Sequence, residues 1–242
     1  MKVLKAINLS KRYGQRPVVD NLSLEVRAGE AVGLLGPNGA GKTTAFSMII
    51  GLVEADSGQV WLDGEELTSL PAYLRARKGL GFLPQEPSIF RGLSAEENLL
   101  LVLQIQEGGS SGNKLKDKAA EMLEEFGLLS LATARADRLS GGERRKLEMA
   151  RAMARKPDFL LLDEPFSELD PLAVADLQGV IQKLKGKGVG ILLTDHRLRE
   201  ALKVIDRIYI INGGKIMTEG RPEEVLEKKE VRKIYLGPDF RL

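Results

Sequence analysis

Residues 36–43 read Gly-Pro-Asn-Gly-Ala-Gly-Lys-Thr, and no other run constrains the fold of this chain as tightly. They match the pattern G-x-x-x-x-G-K-[ST] at every position. An apolar run over 31–35 precedes them, and apolar residues at helical spacing follow from 42 to 52. A glycine-rich loop between a buried strand and a helix points several backbone N–H groups at one anion. The pattern predicts a phosphate-binding loop, against the alternative of a tight turn that binds nothing.

Four side chains are expected to contact the phosphates and their metal ion: two at the end of this loop and two acidic residues further along the chain. Lys42 is expected to reach the β- and γ-phosphates of a nucleotide, and the Thr43 hydroxyl to hold Mg²⁺. A second apolar run, 159–162, leads into Asp163 and Glu164 at the strand end where α/β sheets bind ligands. We expect Asp163 to hold the metal through water and Glu164 to polarise the attacking water. Two surface acids that cap a strand are the alternative.

Three further features lie where predicted strands end or helices begin. His196, the only histidine, follows the apolar strand at 189–193 and is expected to reach the γ-phosphate, although a surface histidine is the alternative. Gln85 ends the strand at 80–84 and is predicted to contact the metal or its water. Residues 139–143, Leu-Ser-Gly-Gly-Glu, form either a capping box or a second anion-binding helix end. Spacing alone does not decide between these two.

The remaining pattern predicts an α/β fold, with a P-loop core built on a mostly parallel sheet. Alternating apolar residues in the first 30 positions, and a strand at 59–64, predict a small antiparallel β subdomain. Residues 94–155 have helical patterns, interrupted at 107–112 by a stretch of linker composition. Strands and helices then alternate up to a hairpin at 212–214. We expect one domain over 1–242 with a helical subdomain at 86–155.

Composition excludes several classes of function. The chain has no cysteine and one histidine, so disulfides, thiol nucleophiles, cysteine-ligated metals and sites with two imidazoles are excluded. Its net charge of +2 and the absence of a basic run argue against a nucleic-acid partner. No apolar stretch approaches the ~20 residues that cross a bilayer, and the first residues lack a signal-peptide pattern. We therefore expect a cytoplasmic protein, which a partner would have to hold if it works at a membrane.

In their order and spacing these motifs resemble those of the ABC-type ATPases over essentially the whole chain. The Leu-Ser-Gly-Gly-Glu run is the most discriminating of them, because other P-loop ATPases lack it. The resemblance implies ATP and Mg²⁺ as ligands, with Thr43, Gln85 and Asp163 at the metal and Glu164, His196 and Gln85 at the reacting groups. The nucleotide-binding residues that it implies are Tyr13 (stacked on adenine), Gly36, Pro37, Asn38, Gly39, Ala40, Gly41, Lys42, Thr43, Thr44, Ser140, Gly141, Gly142 and Glu143.

The resemblance also implies a mechanism. Two copies form a homodimer around two ATP molecules, so that residues 140–142 of each copy face the nucleotide of the other. Glu164 then acts as general base with His196 as its positioning partner, and reopening of the dimer drives two integral membrane subunits. Glu168, in the segment 167–170 that matches the family's D-loop, departs from the Ala that is frequent there.

Within the family, residues 82–94 and 235–242 resemble the ATPases that power bacterial lipopolysaccharide export. This branch implies that Phe90 and Arg91 line a groove for a short helix of each membrane subunit. It also implies a single-span membrane companion and a location on the cytoplasmic face of the inner membrane. Arg197 departs from the Asn usual in this branch.

Three alternatives stay open at this stage. The Tyr-Leu-Gly run at 235–237 also occurs in ATPases of branched-chain amino-acid importers. A soluble ABC ATPase that acts on nucleic acid or ribosomes is the second alternative, which the near-neutral charge disfavours. A nucleotide-gated binding module without turnover is the third, and the presence of Glu164 argues against it.

Overall fold

A computed structural model of the chain describes residues 1–106 and 112–236. The predicted linker at 107–112 and the tail at 235–242 therefore lie largely outside the described residues. The elements follow in this order: β1 (Val3–Tyr13), β2 (Arg16–Arg27), β3 (Ala31–Leu35), α1 (Lys42–Ile50), β4 (Ser57–Leu62), β5 (Glu65–Glu66), α2 (Ala72–Arg77), β6 (Leu80–Leu83), α3 (Ala95–Gln106), α4 (Asn113–Glu125), α5 (Gly141–Met153), β7 (Phe159–Asp163), α6 (Pro171–Gly186), β8 (Gly190–Thr194), α7 (Leu198–Leu202), β9 (Arg207–Asn212), β10 (Lys215–Gly220), α8 (Pro222–Leu226) and α9 (Lys229–Val231).

The larger sheet has the strand order β10-β9-β3-β8-β7-β6. Its strands pair in parallel, except that β10 pairs antiparallel with β9 at one edge. Every residue of β3, β7 and β8 is buried, as expected of parallel strands covered on both faces. The prediction of a mostly parallel sheet is confirmed.

The smaller sheet is antiparallel, with the order β2-β1-β4-β5, and confirms the predicted β subdomain. The strand predicted at 59–64 instead ends at Leu62. Asp63 and Gly64 both have positive φ, 48° and 85°, and form the tight turn into β5. Gly213 and Gly214 form the same kind of turn between β9 and β10, as predicted.

Helices α3, α4 and α5 lie within the stretch that we assign to a helical subdomain, and its boundaries stay a prediction. They pack on one another and on the larger sheet through fully buried side chains such as Leu99, Leu103, Leu123 and Leu147. Ser94 and Glu97 form a capping box at the start of α3: Oγ accepts from the Glu97 N–H at 3.1 Å, and the carboxylate accepts from the Ser94 N–H at 2.7 Å.

The fold brings four chain segments to one edge of the larger sheet. The loop at 36–41 leaves β3 at this edge, and Gln85, Asp163 and Thr194 follow or end the parallel strands β6, β7 and β8. Asp163 pairs directly with Thr194 across β7 and β8. Within 1–106 and 112–236, no helix combines the length and apolar character needed to cross a bilayer.

Candidate functional site

The loop at 36–41 lies so close to its neighbours that two of its positions require glycine. A Cβ on Gly36 would come 2.0 Å from the carbonyl oxygen of Ile211. Gly41 has a φ of 107°, and a Cβ there would come 2.5 Å from the carbonyl oxygen of Val18. The glycines therefore let the loop curl against β9 and β2 with its backbone N–H groups uncovered by side chains.

Lys42 begins α1 and reaches back over the loop. Its Nζ donates to the carbonyl oxygens of Gly36 and Pro37, each at 2.9 Å. The side chain is buried, and this burial lowers the pKa of the Lys42 ammonium from its usual value. An anion in the loop would face a positive charge that water screens poorly.

A cleft of about 540 Å³ opens over the loop. Glu164, His196 and Gln85 also line this cleft, and they follow strands β7, β8 and β6 at the same sheet edge as the loop. The cleft thus brings together predicted residues from four separate parts of the sequence. Its lining consists of Val18, Asn38, Gly39, Ala40, Gly41, Lys42, Thr43, Thr44, Gln85, Glu164 and His196.

Three side chains converge on one oxygen of Glu164. Gln85 Nε2 and Ser167 Oγ each donate to Glu164 Oε2 at 3.0 Å, and His196 Nδ1 lies 3.1 Å from the same atom. The Glu164 backbone is left-handed, with a φ of 46°, and its N–H donates to the carbonyl of Thr194 at 2.8 Å. This turn directs the carboxylate away from the buried sheet and into the cleft. A carboxylate oriented in this way can accept a proton from a bound water.

Asp163 is the buried member of the acidic pair, with 4% of the residue exposed. Burial, reinforced by the charge of Glu164, raises the pKa of its carboxyl to about 6. Its Oδ1 is buried and accepts no hydrogen bond from the described residues. An unpaired buried oxygen of this kind fits Mg²⁺, which prefers oxygen ligands.

Within the described ranges, no cluster of three or more acidic, histidine or cysteine side chains could hold a metal on its own. A magnesium ion at Asp163 would therefore complete its shell with water and phosphate oxygens, as it commonly does.

The Ser140 turn lies apart from this cleft. Ser140 caps α5: its Oγ accepts from the Glu143 N–H at 3.3 Å, and the Glu143 carboxylate accepts from the Ser140 N–H at 2.8 Å. This second bond holds the pKa of Glu143 below its usual value. A Cβ on Gly142 would come 2.6 Å from Ala173 Cβ, so this glycine also serves the close packing of α5 on α6. Gly141 lines a second cleft, on the Ser167 side of Glu164.

Tyr13 lies at the end of β1 with 54% of the residue exposed, and it does not line the first cleft. Lys11 Nζ lies 5.9 Å from the centroid of its ring. An exposed aromatic ring can stack on a base, and that role of Tyr13 stays a prediction.

An apolar groove lies between α1, α2, β6 and α5, away from both clefts. Leu52, Tyr73 and Phe82 line it together with Arg151, and the first two are 59% and 62% exposed. Phe90 is linked to this groove through Arg151, whose guanidinium lies 4.6 Å from the centroid of the Phe90 ring. Arg91 lines the second cleft instead, beside Gln85.

Two residues of this region have roles that the sequence pattern did not indicate. Ser167 was assigned only to a motif, yet its hydroxyl holds Glu164. Arg145 belongs to the stretch predicted as helical, where nothing marked it as a buried residue, yet it is 7% exposed. It donates to the carbonyls of Pro84 at 2.8 Å and Asp163 at 3.1 Å, and so ties α5 to the ends of β6 and β7.

Comparison with known proteins identifies related chains. The family described as "ABC transporter" matches residues 19–167. A probable ABC transporter ATP-binding protein of Azorhizobium caulinodans is 52% identical over 239 residues, which is 99% of this chain and 84% of that protein. The lipopolysaccharide export system ATP-binding protein LptB of Escherichia coli K12 is 49% identical over 242 residues, the full length of both chains.

Solved structures agree with these relatives. An ATP-binding cassette of an ABC transporter in its ADP conformation matches with a TM-score of 0.89 and 30% identity, over 98% of this chain and 99% of that one. A dimeric ATP-binding cassette in a post-hydrolysis state with ADP and Pi matches with a TM-score of 0.79 and 27% identity, over 90% and 98%.

Proposed function

This chain belongs to the ABC transporter family, and we propose that the ATP hydrolysis it performs powers export of lipopolysaccharide from the inner to the outer membrane. The activity itself, ATP hydrolysis coupled to transport, follows from the family. The observation that carries the proposed cargo is the 49% identity with LptB of E. coli, which extends over the full length of both chains.

The alternatives receive less support. Relatives described only as probable ABC transporter ATP-binding proteins leave the cargo open, so an importer of branched-chain amino acids stays the second candidate. A role on nucleic acid or ribosomes would favour a basic surface, whereas the net charge is +2. The importer and the exporter differ in their membrane subunits, which an experiment can identify.

The hydrolytic step assigns a task to each residue of the first cleft. The loop N–H groups and Lys42 bind and orient the β- and γ-phosphates. Glu164 accepts the proton of the attacking water, while Gln85, Ser167 and His196 hold its carboxylate in place. Mg²⁺, held by Thr43 and Asp163 with Gln85 nearby, would neutralise charge on the phosphates.

We assign the rest of the site to a second copy of this chain. Ser140, Gly141 and Gly142 lie outside the cleft that holds their own phosphate loop, which is consistent with a role toward the nucleotide of a partner copy. The dimeric cassette with ADP and Pi among the similar structures supports this arrangement. The homodimer would form when ATP binds.

The apolar groove with Phe90 at its side supports membrane partners. Two integral membrane subunits would each insert a short helix there, since exposed apolar rings are costly in water unless a partner covers them. Arg91 would then contact the same helix from the adjacent cleft. In this scheme the chain binds peripherally to the cytoplasmic face of the inner membrane, and a single-span membrane protein completes the exporter.

The test is to purify the full-length chain from its native membranes and to identify the integral membrane proteins that accompany it. We expect two subunits with large periplasmic domains and one single-span protein. Membrane subunits of an amino-acid importer, or none at all, would contradict the proposal. Phe90→Ala serves as the matched variant and should retain less of these proteins.

A further inference from the structure

The loop between β6 and α3 connects the phosphate site with the groove. Gln85 near its start donates to Glu164, and Phe90 lies five residues later beside the groove. Phe90 is 45% exposed, so the core does not hold its ring. The position of this ring therefore depends on the backbone that carries it and on its contact with Arg151.

Asn98, on the first turns of α3, forms hydrogen bonds with both the N–H and the carbonyl of Phe90. Its Oδ1 accepts from the Phe90 N–H at 3.0 Å, and its Nδ2 donates to the Phe90 carbonyl at 3.0 Å. Nδ2 also donates to the Ser94 carbonyl at 2.9 Å. Asn98 is fully buried, and these bonds offset the cost of burying its amide.

Helix α5 holds the same loop two residues earlier. Glu148 Oε1 accepts from the Ser88 N–H at 2.5 Å, and Arg151 Nη1 donates to the Ser88 carbonyl at 2.6 Å. Asn98 thus holds the backbone at Phe90, whereas α5 holds the backbone at Ser88 and contacts the Phe90 ring through Arg151. Among the described residues, the Phe90 N–H donates to Asn98 alone, whereas the Phe90 carbonyl also accepts from the Leu93 N–H at 3.1 Å.

We propose that Asn98 is a positioning residue for the membrane-subunit contact, acting through the backbone of Phe90. The inference rests on the proposed function, because it needs the groove to bind a membrane subunit. Without the Asn98 amide, the Phe90 ring would sample several positions, and binding would have to order it at a cost in affinity.

The experiment measures the affinity of the full-length chain for the copurified membrane subunits in detergent. Asn98→Ala is expected to weaken binding about tenfold. Asn98→Asp, of the same shape, keeps the acceptor for the Phe90 N–H but places a carboxylate oxygen against the Phe90 and Ser94 carbonyls, so a loss at least as large is expected. Leu103→Ala, on the same helix and equally buried, is the control for general weakening of α3 and should bind like the parent chain.

A double-mutant cycle separates positioning from a purely structural role. In the Phe90→Ala background, Asn98→Ala should weaken binding no further, because Asn98 acts only through Phe90. Parent-like affinity of Asn98→Ala, an equal loss in Leu103→Ala, or an additive loss in the double variant would each overturn the inference. If Phe90→Ala alone binds the membrane subunits with parent-like affinity, the groove is not their binding site. That result would contradict the proposed function and is distinguishable from a failure of the role assigned to Asn98.

Discussion

The Gln85 amide nitrogen lies 3.0 Å from Oε2 of Glu164, so the loop that leaves β6 contacts the carboxylate that follows β7. Because the same loop carries Phe90, a displacement at the groove can alter the hydrogen bonds of Glu164. This contact offers a direct physical route between the proposed membrane subunits and hydrolysis. It also makes Glu164 the residue whose replacement is most informative.

Glu164→Gln should bind ATP normally but hydrolyse it at least ~100-fold more slowly, because an amide cannot accept the proton of the attacking water. Steady-state phosphate release and equilibrium binding of ATP measure the two effects. Ser167→Ala is the matched comparison: it removes one of the bonds to Glu164 Oε2 and should retain more activity than Glu164→Gln. Near-normal turnover of Glu164→Gln would disprove the general-base role.

Lys42→Ala should weaken ATP binding by about tenfold or more, since it removes the buried positive charge beside the loop. Binding of a fluorescent ATP analogue reports the change. Lys78→Ala, which removes a lysine paired with Glu65 outside the cleft, should bind ATP with parent-like affinity. Tight binding by Lys42→Ala would contradict the assignment of the phosphate loop.

Asp163→Asn should stabilise the nucleotide-free chain at neutral pH while it abolishes Mg²⁺-dependent hydrolysis. The folded-state pKa of about 6 lies above the unfolded value near 3.8, so the folded state holds this proton more tightly. The stabilisation that the protonated Asp163 carboxyl gives the folded state is therefore complete below pH 4 and is lost as the pH rises from 4 to 6. The loss amounts to at most about 3 kcal/mol, and Asn avoids it.

Denaturant unfolding at pH 4 and pH 7, without nucleotide, measures this effect. The variant should equal the parent chain at pH 4 and exceed it at pH 7. If the variant and the parent chain have the same free energy of unfolding at pH 4 and also at pH 7, burial of the Asp163 carboxylate does not destabilise the folded chain.

Ser140→Ala should leave ATP binding by the single chain intact but reduce hydrolysis strongly, because we assign Ser140 to the nucleotide of the partner copy. Loss of the helix cap alone costs about 1 kcal/mol. Ser94→Ala removes an equivalent capping box from α3 and so provides the control for that loss. Comparable hydrolysis by the two variants would argue against a catalytic contribution of Ser140.

Much of this fold could be predicted because its signals are local. The buried strands β3 and β7 are continuous apolar runs, and the capping box that the pattern at 139–143 offered as one alternative is present at Ser140. Glycine and charge patterns also placed the phosphate loop and the two acids at the same sheet edge. The short helices α2, α8 and α9 were not predicted, since three to six residues carry little periodicity.

Contacts between segments that are distant in the chain could not be predicted from local sequence patterns. Arg145 and Asn98 look like surface residues of polar helices, yet both are buried. Arg145 donates to a backbone carbonyl in a distant part of the chain, and Asn98 bonds the backbone of the loop that precedes its helix. Hydrogen bonds of a side chain to main-chain carbonyls leave no complementary residue type in the sequence. The convergence of Gln85, Ser167 and His196 on one oxygen likewise depends on the tertiary arrangement.

The most direct test of the account is ATP-driven release of lipopolysaccharide from proteoliposomes that contain this chain and its copurified membrane subunits. We predict release that requires ATP and Mg²⁺ and is lost with Glu164→Gln under the same conditions. Release that proceeds equally with Glu164→Gln, or an active ATPase complex that releases no lipopolysaccharide, would contradict it.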